Sequence, residues 1–547
     1  MLFTTIFNII VLCSIIGFSY LFKYFISQKK QHIHNSDILY GIFTIIVLSL
    51  ILNFFLPLKY FFYPIIIIGC ILFLFCIYKN SLKINLLIHF IVIFSFALIT
   101  YDQGDNVDSP MYHMQIIKWL SLEKIIFGLP NLEIRFGMNS LWFNFLSMFQ
   151  FKYKNFNSIH ILNFLPFTIV FYEILMAKKK NLSYIFLTLS ICFLIFFSYL
   201  HPFNNGVILN QLHNPELDTV AMIFFIYSFY LFLKFFDEKK YEVFQLLLIA
   251  SLLCFFIKIS YIGVLVFPLS IVIIAYAKDP KKLLYDRLNL TIIFSSLAFM
   301  LKGFITSGCL LFPVKLSCFN TAWSPGIYQI DKYSKIVKGF ARDTRDRQRY
   351  TDFDHTIESF DWFLPWFYDY AVNNALFKIS FILIILSLFI YISFKVLKLM
   401  NIVKPLEKKI YLIGFCGLFL NLLVWFQAPD TRFGWGIIIS LNCFILAMLA
   451  TQNKLFRYLN IDVVKTFTII VFFLILFDNR ESLKVDKIIT PYEKNFNYSK
   501  IIKFSNFNGY DFFVGNWQCY DFKGICVNSI KKNYNPIRKN GYLFFLN

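Results

Sequence analysis

Runs of about 16–22 predominantly apolar residues recur along most of the chain, and nothing else constrains its fold as strongly. A helix needs about 20 such residues to cross the hydrocarbon of a bilayer, where its backbone polar groups must bond within the segment. The chain therefore reads as an all-α polytopic membrane protein. Composition agrees, with 58% hydrophobic and 15% charged residues, against about 25% charged in an average soluble domain. A soluble enzyme with a membrane tag, a disordered chain, a collagen-like repeat and a disulfide-stapled mini-domain are all excluded. The 72 Phe residues, with abundant Ile, Asn and Lys, have the stamp of an AT-rich genome, so a lone Phe or Asn carries little information.

By length and apolarity about fourteen spans are expected, near 3–22, 37–56, 60–78, 84–100, 156–176, 182–200, 217–234, 242–257, 259–277, 288–305, 376–394, 410–427, 434–450 and 465–478. The first is not read as a cleaved signal peptide, because no basic n-region precedes it and no Ala-x-Ala-like site follows. The organisation is then N-terminal transmembrane helices (1–83) and a transmembrane module (84–305) carrying an external loop, 101–155. A second external loop (306–375) with an amphipathic helix, C-terminal transmembrane helices (376–478) and an external tail (479–547) follow.

The formal net charge of +21 would suggest nucleic acid in a soluble protein. Here it reads as topology. Lysines at 29–30, 79 and 83, 178–180, 239–240, 281–282 and 408–409 each follow an apolar stretch. They fall on every second connection, as the positive-inside rule requires of cytoplasmic loops. No aromatic–basic pattern accompanies them, and no nucleic-acid partner is expected. The remaining segments, 101–155, 201–216, 306–375, 428–433 and 479–547, lie on the other side and hold all the unusual polar sequence. The apolar stretch 138–151 is too short to span. Counting it as a span would move Lys178–Lys180 outside. It is read as interfacial or re-entrant, paired with a second surface helix starting near Pro110.

The external loop opens with Asp102, Asp105 and Asp108 directly after a span. Ser109-Pro110 reads as an N-cap followed by Pro at the first helical position. Asp108 then sits at the helix N-terminus, where the dipole favours the ionised carboxylate. Such a group at the bilayer edge suits a general base or binds a cation, whereas Asp102 and Asp105 read as ordinary solvated loop acids. Tyr112 and His113 are close enough to share the site. Arg135 either meets a phosphate or anchors at the interface. Asp218 opens another span, where a carboxylate needs a partner or acts as a cap. Lys258 interrupts FFIKISYIG and either snorkels or meets Asp218 or a bound anion. Arg432, in the tight turn APDTRFG, suits a lipid phosphate or an interface anchor. Ile330, Tyr333, Val337 and Phe340 form one helical face ringed by lysines and arginines, the pattern of a basic helix on a membrane surface.

Seven of the eleven cysteines lie inside apolar spans and read as small packing residues. With an oxidising compartment outside, Cys309 with Cys318 and Cys519 with Cys526 are candidate local disulfides. No metal-ligand motif is present: His113, His201 and His213 are external, but none shows HExxH-like spacing. No cofactor is expected on this basis, and a divalent metal stays open.

The ordered motifs DSPMYH (108–113), GLPNLEIRFGMNS (128–140), NPELD (214–218), SGCLLFP (307–313), APDTRFG (428–434) and NWQCYDFKGIC (516–526) resemble an uncharacterised family of large bacterial inner-membrane proteins over about residues 95–530. The architecture also resembles the GT-C superfamily of membrane glycosyltransferases, which use polyprenyl-phosphate- or diphosphate-linked sugars. That resemblance implies Asp108 as catalytic base and Asp218 as a second acidic site residue. It places Arg432 near the lipid phosphate, with Phe433 where some members carry Tyr. The implied partners are a polyprenyl-phosphate-linked sugar, an envelope glycan, lipid or protein acceptor, and the bilayer. The implied location is the bacterial inner membrane, with the acidic loops and tail periplasmic. Two departures stand. About three extra spans precede the acidic loop, and Ser109 follows the key Asp where oligosaccharyltransferases carry a second carboxylate for metal. A polysaccharide polymerase, or a flippase or transporter of lipid-linked oligosaccharide, is the alternative. The tail as a docking module of an assembly protein is a third reading.

Overall fold

A computed structural model describes residues 2–27, 32–79, 81–100, 108–153, 156–175, 181–200, 211–276, 286–342, 357, 359–373, 375–396, 405–452, 466, 469, 501–507, 510–515, 519, 525–527 and 536–546. The chain is predominantly helical. Among the described residues, six helices are long and apolar enough to cross a membrane: Leu2–Ile26, Asn35–Asn53, Leu58–Tyr78, Asp218–Glu238, Arg287–Ser307 and Thr431–Gln452. Seven shorter apolar helices join them, at Leu86–Leu98, Leu165–Leu175, Leu182–Ile195, Tyr241–Ile257, Ile259–Ala275, Lys378–Ser387 and Lys409–Trp425. Each falls on one of the expected apolar segments. The segment 465–478 lies outside the described residues, as do Asp102, Asp105 and His201.

Burial separates central from peripheral helices. Asp218–Glu238 is buried at every residue from Asp218 to Phe235, packed between Leu182–Leu200, Tyr241–Ile257 and Thr431–Gln452. Its uniform apolarity has a reason: neighbours surround it, so no polar face is needed. Leu58–Tyr78 and Arg287–Ser307 instead leave most of their apolar side chains uncovered, 22% and 28% of their windows being buried. That pattern suits helices whose outer faces meet lipid. Helix Leu2–Ser27 meets Phe62–Tyr78 closely, and a Cβ on Gly17 would lie 2.0 Å from the Gly69 carbonyl oxygen. Small residues permit this backbone approach.

Polar contacts gather at the two ends. At one end, beside the lysine-rich connections, Lys23 pairs with Asp37 at 2.7 Å and Lys234 with Glu173 at 3.7 Å. There the Ser183 hydroxyl donates to Asp237 at 2.6 Å, and Gln245 to Asp286 at 3.0 Å. The other end joins the five segments expected on the opposite side. Asp108 meets Arg432, and Ser109 meets Glu216. The Asn131 amide donates to the Trp323 carbonyl at 2.9 Å, and the Trp366 indole to that of Pro429 at 3.1 Å. The Cys519 N–H donates to the Pro110 carbonyl at 2.8 Å.

Three features differ from expectation or lie outside it. First, Leu141–Met148, capped by the Ser140 hydroxyl accepting from the Trp142 N–H, is buried along its whole length against protein, not laid on a surface. Met114–Leu122 is likewise buried at most positions. An apolar stripe has the same spacing whether protein or lipid covers it. Second, the helix Ile327–Arg342 turns its apolar face inward: Ile330 is buried with Cys309 and Phe312, and Tyr333 stacks on Phe312 at 5.8 Å. Third, the described part of the tail, whose sequence carries no secondary-structure expectation, is β. Ile501–Phe507 pairs antiparallel with Tyr510–Gly515, which pairs in parallel with Ile525–Val527, while Ile537–Lys539 and Tyr542–Phe544 form a hairpin.

That hairpin docks on the first external loop. The Phe127 N–H donates to the Leu543 carbonyl at 3.0 Å and the Phe545 N–H to that of Phe127 at 2.8 Å. Arg538 reaches Glu123 at 2.8 Å. Gly128 makes the approach feasible, with φ +72°, and a Cβ there would lie 2.2 Å from the Phe545 oxygen and 2.6 Å from that of Trp323. Gly128→Ala is therefore expected to undock the C-terminal hairpin. The left-handed backbone alone costs a non-glycine residue about 1–2 kcal/mol. Limited proteolysis checks it, by markedly faster cleavage near residue 540 in the variant.

Candidate functional site

The site forms where four chain segments meet. Asp108 follows the span ending at Thr100 and begins a wide π-helical turn, Ser109–His113, that runs on into helix Met114–Leu122. The expected Ser109 cap is absent. The Ser109 hydroxyl instead donates to Glu216 Oε1 at 2.7 Å, and His113 Nδ1 lies 3.4 Å from the same oxygen. Asn163 fixes that partner: its amide donates to the Glu216 carbonyl at 2.7 Å and also to that of Asn214, while its oxygen accepts from the Trp142 indole at 2.7 Å.

Asp108 Oδ2 accepts from Arg432 Nη1 at 3.0 Å. Arg432 stands at the start of Thr431–Gln452, with Asp430 on its other side: Asp430 Oδ1 accepts from the Arg432 backbone N–H at 2.9 Å and lies 3.5 Å from its Nε. The guanidinium fork thus spans two carboxylates. A second pair lies alongside. The backbone turns extended at Lys258, where helix Tyr241–Ile257 ends, and the ammonium bonds directly to Asp218 at the start of Asp218–Glu238. Its Nζ also lies 3.8 Å from the ring centroid of Phe433, the neighbour of Arg432. Of the alternatives for Lys258, the structure selects Asp218. Exposure distinguishes the pairs: 27% and 24% for the side chains of Asp108 and Arg432, against 8% and 12% for Asp218 and Lys258. The Asp108–Arg432 pair is the open part of the site.

Electrostatics at Asp108 pits burial against cations. Burial pushes the carboxyl up, but the Arg432 guanidinium, with His113 and Lys258 behind it, outweighs burial and holds the group below the usual carboxylate range. Burial and then the Asp108 charge push the Tyr112 hydroxyl well above its ordinary value, so it remains a neutral donor.

Arg135 is engaged within the protein. It bonds Glu133 at 3.0 Å, and its guanidinium lies 5.4 Å from the centroid of the buried Tyr112 ring. It braces the wall that carries Tyr112. The two candidate disulfides, Cys309–Cys318 and Cys519–Cys526, are both formed. The second is pinned to the Asp108-bearing segment through the Cys519 bond to Pro110 and a bond from the Cys526 N–H to Gln115 Oε1 at 3.2 Å. Among the described residues, no group of three or more His, Cys, Asp and Glu could hold a metal ion. Asp108 and Asp218 face Arg432 and Lys258 instead.

Sequence reasoning missed Glu216, Asp430 and Lys302. Glu216 and Asp430 carry a faint signal, each standing two residues before a charge at the end of an apolar run, Asp218 and Arg432. Lys302 is buried in LAFMLKGFITS and donates to Asn144 Oδ1 at 2.5 Å. An intramembrane lysine is a functional signal by default. It lines a cavity of about 30 Å³ with Asn139, Thr306 and Trp119, too small for a sugar.

A family model described as "Domain of unknown function (DUF8201)" matches residues 1–439. No curated protein and no solved structure matches the chain.

Proposed function

We propose that this chain, which belongs to the DUF8201 family, is a GT-C-like membrane glycosyltransferase of about fourteen spans. It transfers a sugar from a polyprenyl-phosphate-linked donor to an envelope glycan, lipid or protein. It resides in the bacterial inner membrane with the site on the periplasmic face. One observation carries the reading: Asp108 and Arg432, distant in sequence, meet at 3.0 Å at the end of the apolar helices, beside Asp218–Lys258. A carboxylate next to cations suits glycosyl transfer from a lipid phosphate, the one taking the acceptor's proton and the others the charge of the leaving phosphate.

In this reading the donor phosphate competes with Asp108 for Arg432 Nη1, while Asp430 keeps its hold on the guanidinium. Released from its cation, Asp108 is governed by burial, which raises its basicity. It accepts the proton of an acceptor hydroxyl as that oxygen bonds the anomeric carbon. The bond from that carbon to the phosphate oxygen breaks, and the leaving phosphate keeps the electron pair. Arg432 and Lys258 stabilise the developing charge. Asp218, held by Lys258, sets the position of that cation, and Tyr112 donates a hydrogen bond.

Purified protein given a polyprenyl-phosphate sugar should consume the donor and release free polyprenyl phosphate in the presence of acceptor glycan. Movement of intact donor across vesicles without consumption overturns the reading in favour of a flippase. The pH profile adds a sharper check. Arg432 holds Asp108 down, so Arg432→Gln should move the acidic limb of kcat/KM to higher pH as well as lower the rate, because that limb reports ionisation in the free enzyme. An unmoved limb would separate Asp108 from the proton transfer.

A further inference from the structure

The loop 309–319 is a small, heavily braced hairpin that presents bare apolar side chains. Cys309–Cys318 closes its base. The Leu310 N–H donates to the Ser317 carbonyl at 2.9 Å and the Phe319 N–H to that of Gly308 at 2.8 Å. The Ser317 hydroxyl accepts from the Leu311 N–H at 3.0 Å and donates to the Val314 carbonyl at 2.8 Å. Phe312 and Cys309 pack with Ile330 beneath helix Ile327–Arg342. The tip therefore has little freedom to fold its apolar groups inward. Leu316 is 98% exposed, with Val314 and Phe319 exposed beside it. A rigid, fully exposed leucine next to further apolar side chains marks an interaction surface.

Position identifies the occupant. Helix Arg287–Ser307 leaves Leu290, Phe294, Leu297 and Leu301 uncovered along one stripe of a membrane-spanning segment. Phe304 continues that stripe and meets Phe319 edge-on at 5.7 Å between ring centroids. The hairpin begins at the next residues, so its apolar tip prolongs a lipid-facing surface and does not form an isolated patch. Lysines stand beside it: Lys315, paired to Asp331 at 3.4 Å, and the exposed Lys332. Lys315 sits between Val314 and Leu316 and is neutralised by Asp331, which lowers the cost of bringing the tip to an interface, and Lys332 is left to meet anionic headgroups. We propose that the 309–319 hairpin is a membrane wedge, dipping Leu316 and Val314 into the bilayer half at the site's end of the molecule. It would thereby hold helix Ile327–Arg342, whose Tyr333 is packed on Phe312, at a set height over the bilayer.

The test is Leu316→Trp in the full-length protein, reconstituted in phosphatidylethanolamine–phosphatidylglycerol vesicles with or without acyl-chain-brominated lipid. The wild-type emission, from eight tryptophans, is subtracted. The exposed position tolerates the change without disturbing packing. The added emission should be blue-shifted and quenched by about half or more, as for a group immersed just below the headgroups. Emission typical of tryptophan in water, unquenched by bromolipid, overturns the proposal and leaves the tip facing solvent or a protein. Neither result depends on glycosyl transfer, so the wedge and the enzymatic reading fail separately.

Discussion

Asp108→Asn is expected to lower the proposed glycosyl transfer by about 10²–10⁴-fold, the range a positioned general base contributes. The substitution is nearly isosteric and keeps an oxygen that can accept from Arg432 Nη1, so the 3.0 Å contact need not be lost. Asp108 is also among the more open charged groups of the site, and a neutral amide there brings no new burial cost. Expression and membrane insertion should therefore match wild type while transfer collapses. Radiolabelled donor consumption by purified protein measures it directly, and surface glycan in a complemented deletion strain measures it in cells. Transfer within a few-fold of wild type would remove Asp108 from the chemistry and with it the proposed reaction.

The second large effect is on stability. Asp218 and Lys258 form a directly bonded pair of nearly buried side chains. Removing one partner leaves the other charge stranded in an apolar setting, at a cost of about 3–5 kcal/mol. Asp218→Asn and Lys258→Met should each lower resistance to denaturation by that order, whereas the double variant should recover most of the loss. The recovery is the informative part, since two independent sites would add their costs. Denaturation in mixed micelles, followed by tryptophan fluorescence, reads all four corners of the cycle. Additive losses would show that the pair is not coupled. Full recovery of stability without recovery of transfer would assign the Asp218–Lys258 pair to the reaction as well as to the fold.

Most of the helices were legible in the chain. Long apolar runs are one-dimensional signals, and each apolar helix among the described residues falls on an expected segment. The one-sided clustering of odd polar sequence was legible too, through the alternation of lysine-rich connections. What covers an apolar face was not. The runs at 141–148 and 330–340 carry the spacing of surface helices, yet the first is enclosed by protein and the second packs on Phe312 and Cys309. Nor was the β character of the tail foreseen. Its strands are three to seven residues long, shorter than the window over which hydrophobic period decides between helix and strand.

Asp108, Asp218, Lys258 and Arg432 were all picked from the chain because charges are costly beside a bilayer and rarely idle there. Their partners could not be. Asp108 and Arg432 are 324 residues apart, and nothing local distinguishes Arg432 beside a carboxylate from Arg432 beside a lipid phosphate. Glu216 and Asp430 passed as loop residues until packing aimed them at Ser109 and Arg432. The sequence by itself determined that this is a helical membrane protein whose polar residues gather at the ends of its apolar helices, because hydration of apolar and charged groups is a property of each segment. Only the tertiary structure decided which charges neutralise one another and which pair stays open, because Coulombic partnership depends on distances set by every helix packed between them.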